Sequence, residues 1–304
     1  MNIYYFNINY SCNNRCRFCF SHNTFLNNER NIGINSINNV IDKCRITAND
    51  RIIINGGEPT LHPAFKEILE TMFQTGAEIV LYSNGRLLKD YDFCLYILQR
   101  INRIVIPVHG NQFAHDEITQ CNGAFSDTEQ AITQIADSPY KDKLELKFIV
   151  SGPMIKSGFC VLEFLKEHGV LNNRVVISGL VKTKIAKTNP DIIPAENEAG
   201  EFIANTVNQI LPFVSGIKLM DFQLCKLPES FSAFFGALTD NADEIEFTYY
   251  FIDGNFPDGK MLEYNRQKSD SVCQECAMKK YCTSVLDSCL VLEFNETGKN
   301  IVLE

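Results

Sequence analysis

The stretch Arg51–Thr75, which reads RIIINGGEPTLHPAFKEILETMFQT, holds a short apolar run followed by a helical pattern. The run, Arg51–Asn55, is rich in isoleucine and ends at a glycine turn, as a buried parallel strand does. Over His62–Thr75 apolar side chains recur at helical spacing, and Pro63 suits the first turn of a helix. One strand followed by one helix is the repeating unit of an α/β fold.

The same alternation continues to about residue 212. We predict six strands, at Ile3–Tyr10, Arg51–Asn55, Ile79–Ser83, Arg103–Val108, Leu144–Val150 and Arg174–Ser178. Amphipathic helices are predicted between them, and a further helix over Ala195–Leu211. Six strand–helix units in a row indicate a parallel sheet with right-handed crossovers, two units short of a TIM barrel. The expected fold is therefore α/β, a partial, open (βα)6 barrel.

The pattern changes near residue 213. A phenylalanine-rich stretch and several cysteines follow, and Val291–Glu304 resembles a hairpin around Thr297-Gly298. We therefore predict two domains, a partial barrel at residues 1–212 and a smaller, cysteine-rich region at residues 213–304.

The composition is that of an ordinary globular protein. Of 304 residues 45% are hydrophobic, which excludes wholesale disorder, and no apolar run approaches the roughly 18 residues of a membrane-spanning helix. The formal net charge of -9 disfavours a nucleic-acid binder, because phosphate binding depends on clustered lysine and arginine. Met1–Tyr10 lacks the features of a signal peptide, so we expect a cytoplasmic protein.

The chain has 12 cysteines in 304 residues, a density too low for the disulfide scaffold of a short secreted protein. In a reducing compartment, clustered cysteines are typical of metal binding or catalysis. The first cluster is Cys12, Cys16 and Cys19, on the loop after the first strand. Iron–sulfur clusters are normally bound by four cysteines, so three would leave one iron open to another ligand. Structural zinc is the alternative, and His22 could supply its fourth ligand.

The Cys-x3-Cys-x2-Cys spacing, with Phe18 before the last cysteine, resembles the radical S-adenosylmethionine (SAM) superfamily. Gly56-Gly57-Glu58-Pro59 follows the second strand and matches the Gly-Gly-Glu-Pro motif of that family. Two glycines let a backbone approach a ligand closely, and Glu58 can accept a charge-assisted hydrogen bond from an ammonium group. The resemblance implies that this ammonium belongs to SAM, which chelates the open iron. Phe18 is expected beside the cluster or the adenine, or in the core.

Polar residues stand at the ends of the later predicted strands, where an α/β barrel places its ligand-binding loops. Ser83 and Asn84 follow the third strand and resemble the family's contacts to the SAM carboxylate and ribose. His109, Ser151 and Ser178 follow the fourth, fifth and sixth strands and are further candidates. Turns between strands and helices favour serine and asparagine in any case, so a purely structural role is the alternative.

The late cysteines resemble the Twitch and SPASM regions that carry auxiliary clusters in many radical SAM enzymes. The ligands predicted for one 4Fe–4S cluster are Cys225, Cys273, Cys276 and Cys282, with Cys289 as the alternative to Cys225. Thr283 stands where the family usually has glycine, which is a departure from the pattern. A four-cysteine zinc site is the competing structural interpretation, because zinc accepts the same spacing.

A finer resemblance bears on the substrate. Residues 109–128 and the segment Leu224-Cys225-Lys226-Leu227-Pro228 are similar to peptide-modifying maturases of the His-Xaa-Ser type. The resemblance implies two 4Fe–4S clusters, SAM, and an external electron donor of the flavodoxin or ferredoxin type. Because Cys12 comes so early, we expect any leader-recognition domain to be a separate protein.

The function implied is radical chemistry on a ribosomally made peptide, either an oxidative cross-link or an epimerisation. Cys121 lies after the fourth strand and is a candidate hydrogen donor for epimerisation. The alternatives, in order, are a sugar or nucleoside dehydrogenase or epimerase, a tRNA-modifying enzyme, and a non-enzymatic electron-transfer or zinc protein.

Overall fold

One sheet organises the chain. The computed structural model describes residues 2–19, 31–182 and 184–222, and the strands at 248–253, 290–295 and 298–303. The first seven strands are β1 (Asn2–Asn7), β2 (Arg51–Asn55), β3 (Glu78–Tyr82), β4 (Arg103–Val108), β5 (Leu144–Ile149), β6 (Arg174–Ser178) and β7 (Gly216–Met220). They pair in chain order, each parallel to the next, so their carboxyl ends meet at one edge.

Helices connect the strands, as parallel pairing requires. Their bounds are α1 (Ile34–Cys44), α2 (Phe65–Gln74), α3 (Tyr91–Leu98), α4 (Gln112–Thr119), α5 (Ala124–Ala136), α6 (Gly152–Lys156), α7 (Val161–Glu167), α8 (Lys184–Lys187) and α9 (Glu196–Ile210). Short 3-10 turns add Pro59–Leu61, Arg86–Lys89, Lys141–Lys143 and Pro190–Ile192. A large apolar cluster, including Phe6, Ile54, Leu81 and Phe148, fills the space between sheet and helices.

The predicted fold class is confirmed. Three predicted strands, β2, β4 and β6, have the observed bounds, and the other three differ by one to three residues at an end. The sequence pattern missed β7, a stretch of five residues that begins with glycine and has Lys218 at its centre. Its partner β6 is parallel to it, so the barrel continues by one strand beyond the six predicted.

The strands beyond residue 220 extend the same sheet at both sides. β8 (Thr248–Asp253) lies parallel to β1, and β9 (Leu290–Asn295) lies antiparallel to β7. β10 (Gly298–Leu303) pairs antiparallel with β9, which confirms the predicted hairpin. Strands that follow residue 212 thus belong to the same sheet as β1–β6. The division of the chain into two domains stays a prediction. In the described part of the chain, no helix is long and apolar enough to cross a bilayer.

Candidate functional site

The first cysteine cluster lies at the carboxyl edge of the sheet, on the loop that follows β1. The Cys19 amide donates to Cys16 O at 3.0 Å, and the Asn14 amide donates to Cys12 Sγ at 3.4 Å. Both bonds curl the loop so that its thiols are close enough to act on one another electrostatically. The spacing read from the sequence therefore corresponds to one group of three thiols.

Burial is the main cause of the raised pKa values of Cys12 and Cys16. It raises the pKa of Cys12 to about 12, with further increases from Glu58 and Cys19, while the Asn14 amide opposes the shift. Burial also raises the pKa of Cys16 well above its usual value, and the neighbouring Cys19 and Cys12 add to it. Three thiolates this close would repel one another, so they need a cationic group to stay deprotonated. A metal cluster supplies that charge, and its binding releases the thiol protons.

Three thiols on one loop are the kind of donor set that binds an iron–sulfur cluster. Within the described ranges, no three His, Cys, Asp or Glu side chains converge closely enough to hold a single metal ion. A 4Fe–4S cluster needs a wider arrangement, because each cysteine binds a different iron at a corner of the cluster. His22, the fourth ligand of the zinc alternative, lies outside the described residues.

Gly56 and Gly57 bring the loop after β2 against the chain that leads into Cys12. A Cβ on Gly56 would lie 2.5 Å from Asn9 O, and one on Gly57 would lie 2.5 Å from Tyr10 O and still nearer to Ser11 O. The Gly57 amide donates to Asn9 O at 2.8 Å. The glycines therefore permit a close approach to the neighbouring backbone, and the approach to a ligand expected from the sequence stays a prediction.

Replacing Gly57 with alanine is expected to lower the free energy of unfolding by about 2–3 kcal/mol, because the added Cβ overlaps two carbonyl groups. Urea denaturation of the metal-free chain measures the change. Gly33→Ala is the matched control, because no atom lies within 4 Å of its added Cβ. We expect that control to cost about 0.5–1 kcal/mol, because Gly33 is the N-cap of α1 and alanine caps a helix less well than glycine. Equal stability of the two variants would contradict this account of the loop contact.

Glu58 joins the loops after β2 and β3. Its side chain is 1% exposed, and Oε1 accepts hydrogen bonds from Ser83 Oγ at 2.8 Å and from Thr60 Oγ1 at 2.5 Å. The amide of Thr60 also donates to Oε1 at 3.2 Å, and the amide of Asn84 donates to Oε2 at 2.7 Å. Burial raises the pKa of Glu58, and these four donors oppose the shift. The described residues leave one acceptor position on Oε2 unused.

Asn84 connects the β3 loop to the cysteine loop. Its Nδ2 donates to Asn13 Oδ1 at 2.6 Å and lies 3.9 Å from Cys12 Sγ. Arg86, which no sequence motif indicated, donates from Nη1 to Asn13 O at 2.6 Å and pairs with Asp127 at 3.1 Å. The only signal for Arg86 in the sequence is its place two residues after Asn84. Its partners are 73 and 41 positions away along the chain.

His109 follows β4 directly, and the residue is buried, with 3% of its surface exposed. The centroid of its ring lies 5.2 Å from that of Phe18 and 5.0 Å from that of His115. Burial, with smaller contributions from His115 and Lys147, lowers the pKa of His109 well below its ordinary value, so the ring is neutral at pH 7. Its Nδ1 is buried without a hydrogen-bond partner among the described residues. Buried polar atoms of this kind usually have a ligand or water as partner.

Phe18, Ser151 and Ser178 make other contacts within the protein. Phe18 packs on a small apolar cluster that includes Ile118 and Ile192, as its core alternative expects, and its place beside the iron–sulfur cluster or the adenine stays a prediction. Ser151 caps α6 by accepting the Met154 amide at 3.4 Å. Ser178 Oγ donates to Asp221 Oδ2 at 2.9 Å. Pro59 is buried at the start of a 3-10 turn.

Cys121 lies between α4 and α5 and is half-buried. It is near enough to contribute to the raised pKa of Cys16, so it belongs to the neighbourhood of the first cysteine cluster. The late cysteines, Cys225, Cys273, Cys276, Cys282 and Cys289, lie outside the described residues, and the second cluster stays a prediction.

Comparison with known proteins agrees with this geometry. The sequence profile described as the Radical SAM superfamily matches residues 6–156, from β1 to the end of α6. No curated protein sequence matches the chain.

Solved structures share the fold. The structure of histidine-tagged anSMEcpe with bound AdoMet aligns with a TM-score of 0.55 and 16% identity over 68% of this chain and 58% of that protein. Native anSMEcpe with AdoMet and Cp18Cys peptide aligns with a TM-score of 0.60 and 13% identity, over 93% of this chain and 87% of that one. Streptococcus suis SuiB bound to precursor peptide SuiA aligns with a TM-score of 0.54 and 13% identity, over 83% of this chain and 57% of that one. In two of these alignments the chain thus spans less than two thirds of the matched protein.

Proposed function

We propose that this chain, which belongs to the radical SAM superfamily and is a radical SAM enzyme, abstracts a hydrogen atom from a ribosomally made peptide. The observation that carries the proposal is the meeting of the cysteine loop with the Gly56–Pro59 turn. Gly57 and Glu58 donate backbone hydrogen bonds of 2.8 and 2.7 Å to Asn9 O and Ser11 O, directly before Cys12. The two motifs of the family therefore form one structural unit.

Each motif has a defined part in the proposed site. Cys12, Cys16 and Cys19 would hold a 4Fe–4S cluster, and SAM would occupy the remaining iron. When bound, this cluster supplies one electron to the sulfonium of SAM, which yields methionine and a 5′-deoxyadenosyl radical. Glu58 would accept a hydrogen bond from the SAM ammonium at its unused position on Oε2, because a carboxylate offers about four acceptor positions. Its four protein donors hold that carboxylate in place.

The ends of the later strands complete the proposed SAM pocket. Ser83, Asn84, Ser151 and Ser178 act there chiefly by placing loops, because their polar side chains already bond within the protein. His109 is the candidate for a direct polar contact with SAM, since its Nδ1 is buried and lacks a partner among the described residues. A neutral imidazole can donate or accept at such a position without the cost of burying a charge.

Similarity to peptide-bound enzymes supports a peptide substrate. The anSMEcpe structure contains the Cp18Cys peptide and the SuiB structure contains its precursor peptide SuiA. The proposed outcome for this chain is an oxidative cross-link or an epimerisation. Cys121 is the proposed hydrogen donor in the second case, being half-buried and near enough to Cys16 to contribute to its raised pKa. A short precursor gene beside the coding gene would favour a peptide, whereas neighbouring sugar or nucleotide enzymes would favour a small molecule.

The late cysteines are proposed to bind an auxiliary 4Fe–4S cluster, and a flavodoxin or ferredoxin is proposed as the electron donor. After anaerobic reconstitution we expect about eight irons per chain, because each of two clusters contains four. The variant with Cys12, Cys16 and Cys19 replaced by alanine should retain about four. Metal analysis of both proteins provides the test. Zinc in place of the remaining iron would contradict the auxiliary cluster and leave the SAM site unaffected.

A further inference from the structure

Arg17 lies between Cys16 and Phe18, and its side chain is 13% exposed. Its Nη2 donates to both carboxylate oxygens of Asp191, at 2.7 and 2.8 Å. Its Nη1 donates to Glu117 Oε1 at 2.8 Å, and Nε donates to Asn189 Oδ1 at 3.3 Å. The guanidinium therefore has partners on two sides. Neither partner segment is near it in sequence.

The two segments hold the cysteine loop from opposite directions. On one side, the amides of Arg15 and Arg17 donate to Thr119 O at 2.8 Å and to Ile118 O at 2.9 Å, at the end of α4. On the other side, Asn189 Nδ2 donates back to Arg17 O at 3.4 Å. Arg17 is thus the residue at which the loop, α4 and the chain after β6 meet.

The segment that carries Asp191 is itself firmly placed. Ile192 and Ala186 are fully buried and pack with Ile118 and Phe18. A Cβ on Gly152 would lie 2.7 Å from Asp191 O, so the start of α6 also abuts this segment. The guanidinium consequently bonds to a segment anchored by buried residues, and its planar fork of donors fixes orientation as well as attraction.

We propose that Arg17 is a positioning residue that ties the cysteine loop to Glu117 and Asp191 and so fixes Cys16 and Cys19 for cluster binding. The inference rests on the proposed function, because it assigns these thiols to a cluster. Exposed ion pairs stabilise a protein little, and both acids are about half exposed. The effect of Arg17 is therefore expected in the order of the loop and in cluster retention more than in global stability.

The test compares Arg17→Met and Arg17→Lys with the matched control Arg100→Met. That control removes the ion pair of 2.7 Å between Glu70 and Arg100, which lies on the segment that leads into β4, at the opposite edge of the sheet from the first cysteine cluster. Hydrogen exchange of the metal-free full-length chain is measured at the Arg15 amide, whose bond to Thr119 O reports loop order. We expect exchange there to rise at least about tenfold in Arg17→Met and to stay unchanged in Arg100→Met. Arg17→Lys should restore part of the protection, because it keeps the charge and loses the fork.

The second readout is the reconstituted protein. Arg17→Met should lose iron from the first cluster under chelator faster than Arg100→Met, and its reduced electron paramagnetic resonance signal should broaden, with partial rescue in Arg17→Lys. Parental exchange and iron retention in Arg17→Met would overturn the proposal and leave the proposed function intact. A parent protein that binds no iron at the first cysteine cluster would overturn the proposed function and, with it, this assignment.

Discussion

Replacing Glu58 with glutamine is expected to lower SAM cleavage at least about 100-fold and the free energy of unfolding by about 2–4 kcal/mol. In glutamine an NH2 group, which cannot accept a hydrogen bond, replaces one carboxylate oxygen. The Thr60 and Asn84 donors are backbone amides at 3.2 and 2.7 Å, and a backbone amide cannot rotate away from the new NH2 group. One of these buried amides must lose its acceptor. The site also loses the negative charge proposed to bind the SAM ammonium.

Glu70→Gln is the matched control for this variant. Glu70 is 40% exposed and pairs with Arg100 at the surface, so its loss should cost at most about 1 kcal/mol and leave SAM cleavage unchanged. Urea denaturation and a deoxyadenosine assay on both variants give the comparison. Full SAM cleavage by Glu58→Gln would contradict the role assigned to the buried carboxylate.

Replacing Cys16 with alanine should have an even larger effect on activity. Cys16 lies close to the other two thiols, and its loss would leave one cluster corner without a protein ligand. We expect reductant-dependent SAM cleavage to fall at least about 1,000-fold, because no other described residue is proposed to take its place. Cys121 is the thiol to check as a substitute ligand, since it is near enough to contribute to the raised pKa of Cys16.

Cys44→Ala is the control, since Cys44 ends α1 and is half-buried outside the site. That variant should cleave SAM like the parent protein. The double variant Cys16→Ala, Cys121→Ala should be no worse than Cys16→Ala alone. Residual activity that disappears only in the double variant would indicate that Cys121 can act as a substitute ligand.

Much of the fold could be predicted from the sequence, because buried parallel strands are short apolar runs that end at turn residues. Arg51–Asn55 and Arg174–Ser178 are such runs, and both predicted bounds are the observed ones. β7 was missed because Gly216–Met220 begins with glycine and carries Lys218 at its centre. The strand is recognised from its pairing with β6 and β9.

The cysteine loop and the Gly56–Pro59 turn could be predicted because their spacing is local. The residues that hold the cysteine loop in place could not be predicted. Arg17 bonds to partners 100, 172 and 174 positions away, and nothing in its immediate sequence identifies them. The contacts of the two glycines with the neighbouring backbone could not be predicted either, since sequence shows that a close approach is needed but not which atoms approach.

The most direct test of the central claim is the formation of 5′-deoxyadenosine from SAM by the anaerobically reconstituted protein. With a strong reductant we expect 5′-deoxyadenosine and methionine in equal amounts. We expect neither product without the reductant, and neither from the variant with Cys12, Cys16 and Cys19 replaced by alanine. A parent protein that carries its full complement of iron and yet forms no more 5′-deoxyadenosine than this variant would contradict the account.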